Sequence, residues 1–403
     1  MKRRCALLFF FIFLTVIVPS ATTVAEINMY GETGVALGYM SNSDLITTET
    51  KETKEGTNLT ADLWGTLYFS GMDHHLNHCL LALSLEGNLA AGPVGENAPV
   101  SIGVDQFYLQ IPLFQDSFLY CGKKQKEKGI SRFFNVSNRI SPKYLANYEV
   151  TRTAPGLIEL DFIHSPVLSH SYILYFPETN RWEETNIAAF VDFSGQRRTA
   201  DIFFYLEKLS DPLAGFSLGY QHKAWQYYVE TIWKRKADQY ILRQNGSEEL
   251  GLRKMDDPLT AVFGLKLTQE NWCFTMEFLH RREGYNSEEQ KAFIDYIKTD
   301  AGREVGFVNH DLLRNYLGIS FSIDSILDSR FSAETMAIFS FQPDTLCFHQ
   351  YASWQVLTQV TYEITQNSLL SFFIEHVTGG KYGEFNNVHP YRQLFALIVQ
   401  YYF

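Results

Sequence analysis

The stretch RQLFALIVQYYF, residues 392–403, decides how the rest of the chain is read. Phe395, Leu397, Val399, Tyr401 and Phe403 alternate with Leu394, Ala396, Ile398, Gln400 and Tyr402. A period of two is the signature of a strand. Both faces are largely apolar, and a hydrophobic strand left as a free edge in water templates aggregation. Something must therefore cover it. Where the surrounding solvent is hydrocarbon, every backbone N–H and C=O has to be paired within the protein, so strands cross only as a closed cylinder. The natural seam partner is EINMYGETGVALGYM at 26–40, with its own alternation of Ile27, Met29, Val35, Leu37 and Tyr39.

The first residues bear on the same question. Lys2, Arg3 and Arg4 precede the apolar run LLFFFIFLTVIV at 7–18, and Thr23-Val24-Ala25 follows as a small-residue cleavage site. This is the layout of a signal peptide covering residues 1–25. Its apolar run falls short of the ~20 residues that a spanning helix needs. Residues 26–403 are then expected to form one domain. Removing the leader leaves 31 basic against 45 acidic side chains, a net charge of −14. Nucleic acid is a poor partner for such a chain, since binding phosphates requires a basic footprint. Cys79, Cys121, Cys273 and Cys347 show no paired spacing that would suggest zinc or redox chemistry. The sequence carries no HExxH motif or other metal-ligand spacing. Asn309-His310-Asp311 and the His74, His75, His78 cluster are read as solvated polar segments. The expectation is no enzyme, no metal and no cofactor.

Along the chain, short alternating runs rich in Tyr, Phe, Leu and Gly recur near 27–41, 58–70, 79–90, 101–112, 117–126, 156–164, 169–177, 186–194, 199–208, 213–222, 224–234, 259–269, 271–281, 312–323, 331–341, 354–365, 369–378 and 391–403. These are eighteen predicted strands. Gaps after odd strands are long, as at 42–57, 127–155, 235–258 and 282–311, whereas those after even strands are short, as at 113–116, 165–168 and 366–368. The gap at 209–212 alone is short where a long one is expected. Long loops on one rim and tight turns on the other describe an all-β, antiparallel, up-and-down transmembrane barrel, with the short turns periplasmic. Eighteen strands are expected, with sixteen as the alternative.

The faces sort accordingly. Trp354, Val356, Val360, Tyr362 and Ile364 oppose Gln355, Gln359, Thr361 and Glu363; Leu259, Ala261, Phe263, Leu265 and Leu267 oppose Thr260, Lys266 and Thr268. Tyr30, Tyr39, Trp225, Tyr227, Trp233, Trp272, Trp354, Tyr391 and Tyr401 lie near strand ends, as interfacial aromatic girdles do. One segment departs from strand character: SEEQKAFIDYIKTD at 287–300 opens with Ser287 three residues before Gln290 and places Ala292, Phe293, Tyr296 and Ile297 on one face, which predicts a short helix in a long loop.

The segment DQFYLQIPLFQDSFLYCGKKQKEKGISRFFNVSNRISPK at 105–143 has a distinctive order of parts: strand, turn, strand, Gly122-Lys123-Lys124, Lys128-Gly129, Phe133-Phe134-Asn135 and Ser141-Pro142. It resembles the block found in alginate-export-type and capsule-assembly-type porin-like outer-membrane barrels. Thr151-Arg152-Thr153-Ala154-Pro155-Gly156-Leu157 resembles the loop-to-strand element that follows there. Lys123 stands where those families usually have Arg, Lys128 replaces Trp and Val136 replaces Pro. The resemblance implies an eighteen-stranded bacterial outer-membrane barrel, in agreement with the strand count.

A barrel of this size has room for an aqueous channel. The inward faces are expected to carry many carboxylates, among them Glu159, Asp161, Asp192, Glu230, Glu277 and Glu363, against fewer bases such as Lys123 and Arg314. Such a lumen favours cationic, zwitterionic or neutral solutes and disfavours a polyanion. Inward aromatics, including Phe203, Tyr205, Tyr228 and Tyr316, are read chiefly as gap fillers. Arg132 and Arg152 flank the family-like loop and could fold over the pore opposite Glu159 and Asp161. The reading is a passive outer-membrane channel for small hydrophilic solutes. Loop-mediated binding of a surface polysaccharide or host ligand, and polysaccharide export, are the alternatives. Outer-membrane lipid surrounds the wall, and the face of Phe395, Leu397, Val399, Tyr401 and Phe403 is the expected signal to the barrel-assembly machinery.

Overall fold

In the computed structural model, the residues described are 24–42, 57–73, 78–91, 100–114, 116–126, 128–137, 155–176, 185–207, 211–242, 250–298, 313–326, 330–343, 348–388 and 391–403. The chain forms β1 (Val24–Asn42), β2 (Thr57–Asp73), β3 (His78–Ala91), β4 (Val100–Phe114), β5 (Ser117–Lys123), β6 (Gly156–Ser165), β7 (Leu168–Phe176), β8 (Asn186–Ser194), β9 (Arg198–Leu206) and β10 (Leu213–His222). It continues with β11 (Trp225–Lys234), β12 (Lys236–Leu242), β13 (Leu250–Asp256), β14 (Leu259–Thr268), β15 (Trp272–Arg281), β16 (Asn315–Ile323), β17 (Phe331–Phe341), β18 (Ser353–Thr365), β19 (Ser368–Gly379) and β20 (Tyr391–Tyr402).

All but β12 and β13 belong to one 18-stranded antiparallel sheet in which each strand pairs with its sequence neighbours, β11 passing directly to β14. The ring closes through β1 and β20, where Thr33 lies opposite Tyr401, Val35 opposite Val399, Leu37 opposite Leu397 and Tyr39 opposite Phe395. The apolar terminal strand is thus an interior ribbon of the wall, hydrogen-bonded to β1 on one side and β19 on the other. Its face pattern follows: Leu394 and Ala396 are buried inside, while Leu397, Val399, Tyr401 and Phe403 are 39–54% exposed on the outside. The outer surface elsewhere is equally apolar, with Ile202, Phe216, Leu218, Phe263, Phe321, Trp354 and Phe372 all exposed. Trp225, Tyr227, Trp233, Trp354 and Tyr401 stand in the exposed girdle positions expected of them.

Long and short connections alternate round the ring except between β9 (ending Leu206) and β10 (starting Leu213), where a short one stands in place of a long one. Residues 166–167 and 223–224 suffice for two of the tight turns, and Asp116 (φ 59°) and Lys223 (φ 53°) supply the left-handed conformation that such turns require. Two departures from expectation lie on the opposite rim. The 235–258 gap is not a plain loop: β12 and β13 form a separate two-stranded hairpin with Lys236 opposite Asp256. It prolongs β11 and β14 past the wall, and a main-chain bond from Asp257 N–H to the Arg235 carbonyl ties its base. The predicted helix is present as α1 (Ser287–Ile297), but Asn286 caps it, accepting from the Glu289 N–H while Glu289 reaches back. Asparagine outranks the following serine because its carbonyl meets N3 directly. The buried residues of the helix are Gln290, Ile294, Tyr296 and Ile297, and Ala292 is exposed. Two short helices, α2 (Phe348–Tyr351) and α3 (Glu384–Val388), lie in the next long loops of the same rim.

Leu397→Arg should place a charge on the lipid face of the closing strand at a cost of about 2–4 kcal/mol near the bilayer midplane. Refolding into lipid vesicles, read by heat-modifiable gel mobility, is expected to drop sharply for this variant and to be near normal for Leu397→Ile.

Candidate functional site

The wall of the barrel is built to receive a loop. After β5 the chain turns inward, and residues 124–126 and 128–137 lie on the inner surface with contacts to β6, β8, β11, β15 and β17. Lys124 Nζ lies 3.3 Å from Glu159 and 3.3 Å from the centre of the Tyr120 ring. Lys126 pairs with the same carboxylate. Burial pushes the Lys124 ammonium below the usual lysine range, against the opposing pull of Glu159. Lys128 reaches Asp192 at 2.6 Å and sits over Phe190 at 4.6 Å.

Beyond Gly129 the contacts change from side chains to backbone. Glu230 accepts the N–H groups of Ile130 and of Ser131 (2.7 Å), together with the Ser137 hydroxyl (3.2 Å). Glu277 accepts those of Arg132, Phe133 (2.8 Å) and Phe134 (3.1 Å), and the Tyr228 hydroxyl. Five consecutive amides thus converge on two wall carboxylates, the arrangement of an anion-binding backbone concavity in which the anion belongs to the protein. Both carboxylates are fully buried. A buried ion costs several kcal/mol unless it is hydrogen-bonded, and bonds to a charged acceptor contribute roughly 1.5–3 kcal/mol each. The cluster of donors is what makes these positions tolerable for Glu.

Local sequence permits the bend. Gly129 has φ 94°, and a side chain there would collide with Asn135 and Ser137. Gly318 on β16 leaves room for Phe133, whose Cγ lies 2.6 Å from where a Cβ would stand. Two apolar clusters then lock the loop. Val136 packs against Leu157, Ile173, Phe190, Phe203, Tyr205 and Ile232; Phe134 and Val136 also join Val262, Leu279, Tyr285, Leu313, Tyr316 and Phe385. The second cluster ties the loop to the segments around α1 and α3. Tyr316 donates to Glu384 at 2.7 Å, and Gln290 Nε2 bonds the Tyr382 carbonyl at 2.6 Å. Phe203, Tyr205, Tyr228 and Tyr316 are accordingly packing groups between loop and wall, as read from the sequence.

The expected pore-lining residues fare differently. Glu159, Glu230 and Glu277 face inward but are buried under the loop and do not meet the open lumen. The reason is that folding directs the loop's amides and lysines onto them. Asp192 keeps a partly exposed side chain beside Lys128, Asp161 is half-buried below the lysines, and Glu363 is exposed at the short-turn rim. Lys123 lies opposite Gly156 in the register and so shares the outward face of Cys121 and Ile158, away from the lumen. Arg314 precedes β16 and donates to the Gly284 carbonyl at 2.9 Å, holding the loop base at the long-loop rim instead of lining the passage. Arg132 does fold inward, but its partner is Glu334, not Glu159 or Asp161; these side chains are 36% and 25% exposed. Arg152, His74, His75 and the triplet at 309–311 lie outside the described residues. Cys121 and Cys273 are free thiols. Sequence reasoning missed Lys124, Lys126 and Lys128 as lumenal groups; their period-two spacing, continuing the inward face of Tyr120, was the available signal.

A closed eighteen-stranded wall with an apolar outside and an inserted loop defines an outer-membrane β-barrel of porin type. Solved structures share the whole architecture at very low identity. A BenF-like porin from Pseudomonas fluorescens Pf-5 matches with a TM-score of 0.59 at 9% identity, covering 94% of this chain and 99% of that one. Pseudomonas aeruginosa OccK2 (OpdF), solved in complex with glucuronate, matches with 0.57 at 8%, covering 94% and 98%. Acinetobacter baumannii OccAB4 matches with 0.56 at 8%, covering 93% and 98%. No family profile matches the chain, and no curated protein does. These neighbours, Occ/OprD-type porins, share the porin-like barrel fold that the resemblance implied; the finer kinship with alginate-export and capsule-assembly barrels is not shown by them. The parts quoted from 105–143 encode a strand pair followed by a glycine bend and aromatic anchors, a geometry that suits any barrel with an inserted loop.

Removing one acceptor should free the loop. Glu277→Ala strands three backbone N–H groups and the Tyr228 hydroxyl, at about 1–3 kcal/mol for each group left buried without a partner. Limited trypsin digestion of the folded barrel is expected to cut after Lys128 or Arg132 in this variant and to spare the parent protein.

Proposed function

We propose that the protein is a passive channel for small hydrophilic solutes in the bacterial outer membrane, reached after signal-peptide-directed export, with its last strand read by the assembly machinery. The observation that carries this reading is the inserted loop. A barrel needed only as a scaffold for surface loops has no use for a segment anchored on five strands inside its own lumen, whereas a channel needs one to narrow the passage. The neighbours support the same direction: OccK2 was solved with glucuronate and Pseudomonas aeruginosa OpdK with vanillate, both small polar organic acids.

The wall carboxylates do not make a strongly cation-selective pore in this reading. Glu159, Glu230 and Glu277 are taken up by the loop, and Lys124, Lys126, Lys128 and Arg132 offset Asp161, Asp192 and Glu334. Neutral and weakly charged solutes fit such a balanced constriction best. Its most water-exposed charge pair, Arg132 with Glu334, then sets the residual ion preference.

Planar-bilayer recording tests this. Steady single-channel current is expected from the refolded protein, and its absence would favour a loop-borne binding role without flow. Under a salt gradient, Arg132→Ala should move the reversal potential toward cations and Glu334→Gln toward anions. Identical reversal potentials in parent and both variants would remove the pair from the constriction.

A further inference from the structure

The short-turn rim is electrically divided. Along the arc from β6 to β11 it presents His164, His170, Arg197, Arg198, His222 and Lys223. Among the described residues of that arc no carboxylate lies in the turns or points outward near them: Asp161, Asp192 and Asp201 are on the lumenal face, and Asp201 accepts from Ser217 at 2.8 Å. The arc is bounded by Asp116 on one side and Glu270 on the other. Past Glu270 the same rim carries Asp324 and Glu363 against Arg330.

The basic arc also faces lipid. The partner of His170 across the strand pair is Phe162, on the outward side of β6. The His170 ring stacks on Phe162 and on His164, each at 4.7 Å, and the two imidazoles bring ring nitrogens within 2.6 Å. Tyr172 meets His170 edge-on at 5.3 Å and is 53% exposed. Farther along, Tyr220, Trp225 and Tyr227 are 36–48% exposed, with Trp225 and Tyr227 stacked at 6.4 Å. Aromatic rings of this kind settle at headgroup depth, so the cations beside them stand where phosphates do. At 4.7–4.9 Å between strands, six strands span about 25 Å, room for more than one headgroup.

We propose that this arc binds anionic glycerophospholipid, the headgroup phosphate held by Arg197, Arg198, Lys223 and the imidazoles while the acyl chains lie against Ile202, Phe216 and Leu218. The membrane is favoured over a soluble anion because the donors are continuous with an apolar wall that a free phosphate would leave unused.

Native mass spectrometry of the full detergent-solubilised barrel tests it, using phosphatidylglycerol and phosphatidylcholine with identical acyl chains. Phosphatidylglycerol should be retained several-fold more than phosphatidylcholine by the parent protein. The Arg197→Gln, Arg198→Gln, Lys223→Gln triple variant should lose that difference, while Arg330→Gln on the other arc keeps it; folding of each is checked by heat-modifiable mobility. Equal retention of the two lipids by the parent protein overturns the proposal whatever the variants do. So does a triple variant that still prefers phosphatidylglycerol. Displacement of bound lipid by an equal concentration of glycerol 1-phosphate would show a site for free phosphate and overturn the membrane assignment.

Discussion

Backbone hydrogen bonding across the seam between β1 and β20 is the constraint on which the structure depends. In hydrocarbon an unpaired N–H or C=O costs several kcal/mol, and an open sheet would expose two full edges of them. The register Val35 to Val399, Leu37 to Leu397 and Tyr39 to Phe395 removes both edges at once. It also aligns outward residues with outward residues, so that closure and the continuity of the apolar belt are the same event. A slip of one residue would turn the Leu397 face into the lumen and Leu394 toward lipid.

Inside, a second economy operates. A wide barrel with many inward carboxylates has a desolvation problem wherever something packs against them, and a loop that enters it has backbone donors to satisfy. Glu230 and Glu277 resolve both with the same contacts, each carboxylate taking two or three successive amides. The lysines at 124, 126 and 128 settle the remaining charge on Glu159 and Asp192. What looks in composition like an acidic pore is therefore largely the socket of an inserted segment. Net charge counts residues, whereas selectivity depends on those that still meet water.

Much of the architecture was legible in the chain. Eighteen strands, their short-turn and long-loop rims, the seam and the outward face of β18 follow from period-two patterning, because a wall between lipid and water makes hydrophobicity alternate at every step. The hairpin of β12 and β13 escaped this reading: it lies beyond the wall, where no lipid enforces the pattern. The helix cap moved by one residue because Asn286 and Ser287 are both competent N-caps, and packing of Ile294 and Ile297 chose between them. Lys123 was assigned to the wrong face, the β5 register with β6 placing it opposite Gly156.

By itself the sequence determined that the chain is a strand-built cylinder, where its turns fall and which residues face lipid, since those properties depend on neighbours two positions apart. Only the tertiary structure decided what the lumenal carboxylates do. Glu277 meets the amides of Arg132, Phe133 and Phe134 from more than a hundred residues away, and Arg132 meets Glu334 two strands farther round the wall, some two hundred residues on in the chain. No local pattern encodes such a meeting, because it is fixed by the curvature of a closed sheet and by the volume that its inner side chains leave open.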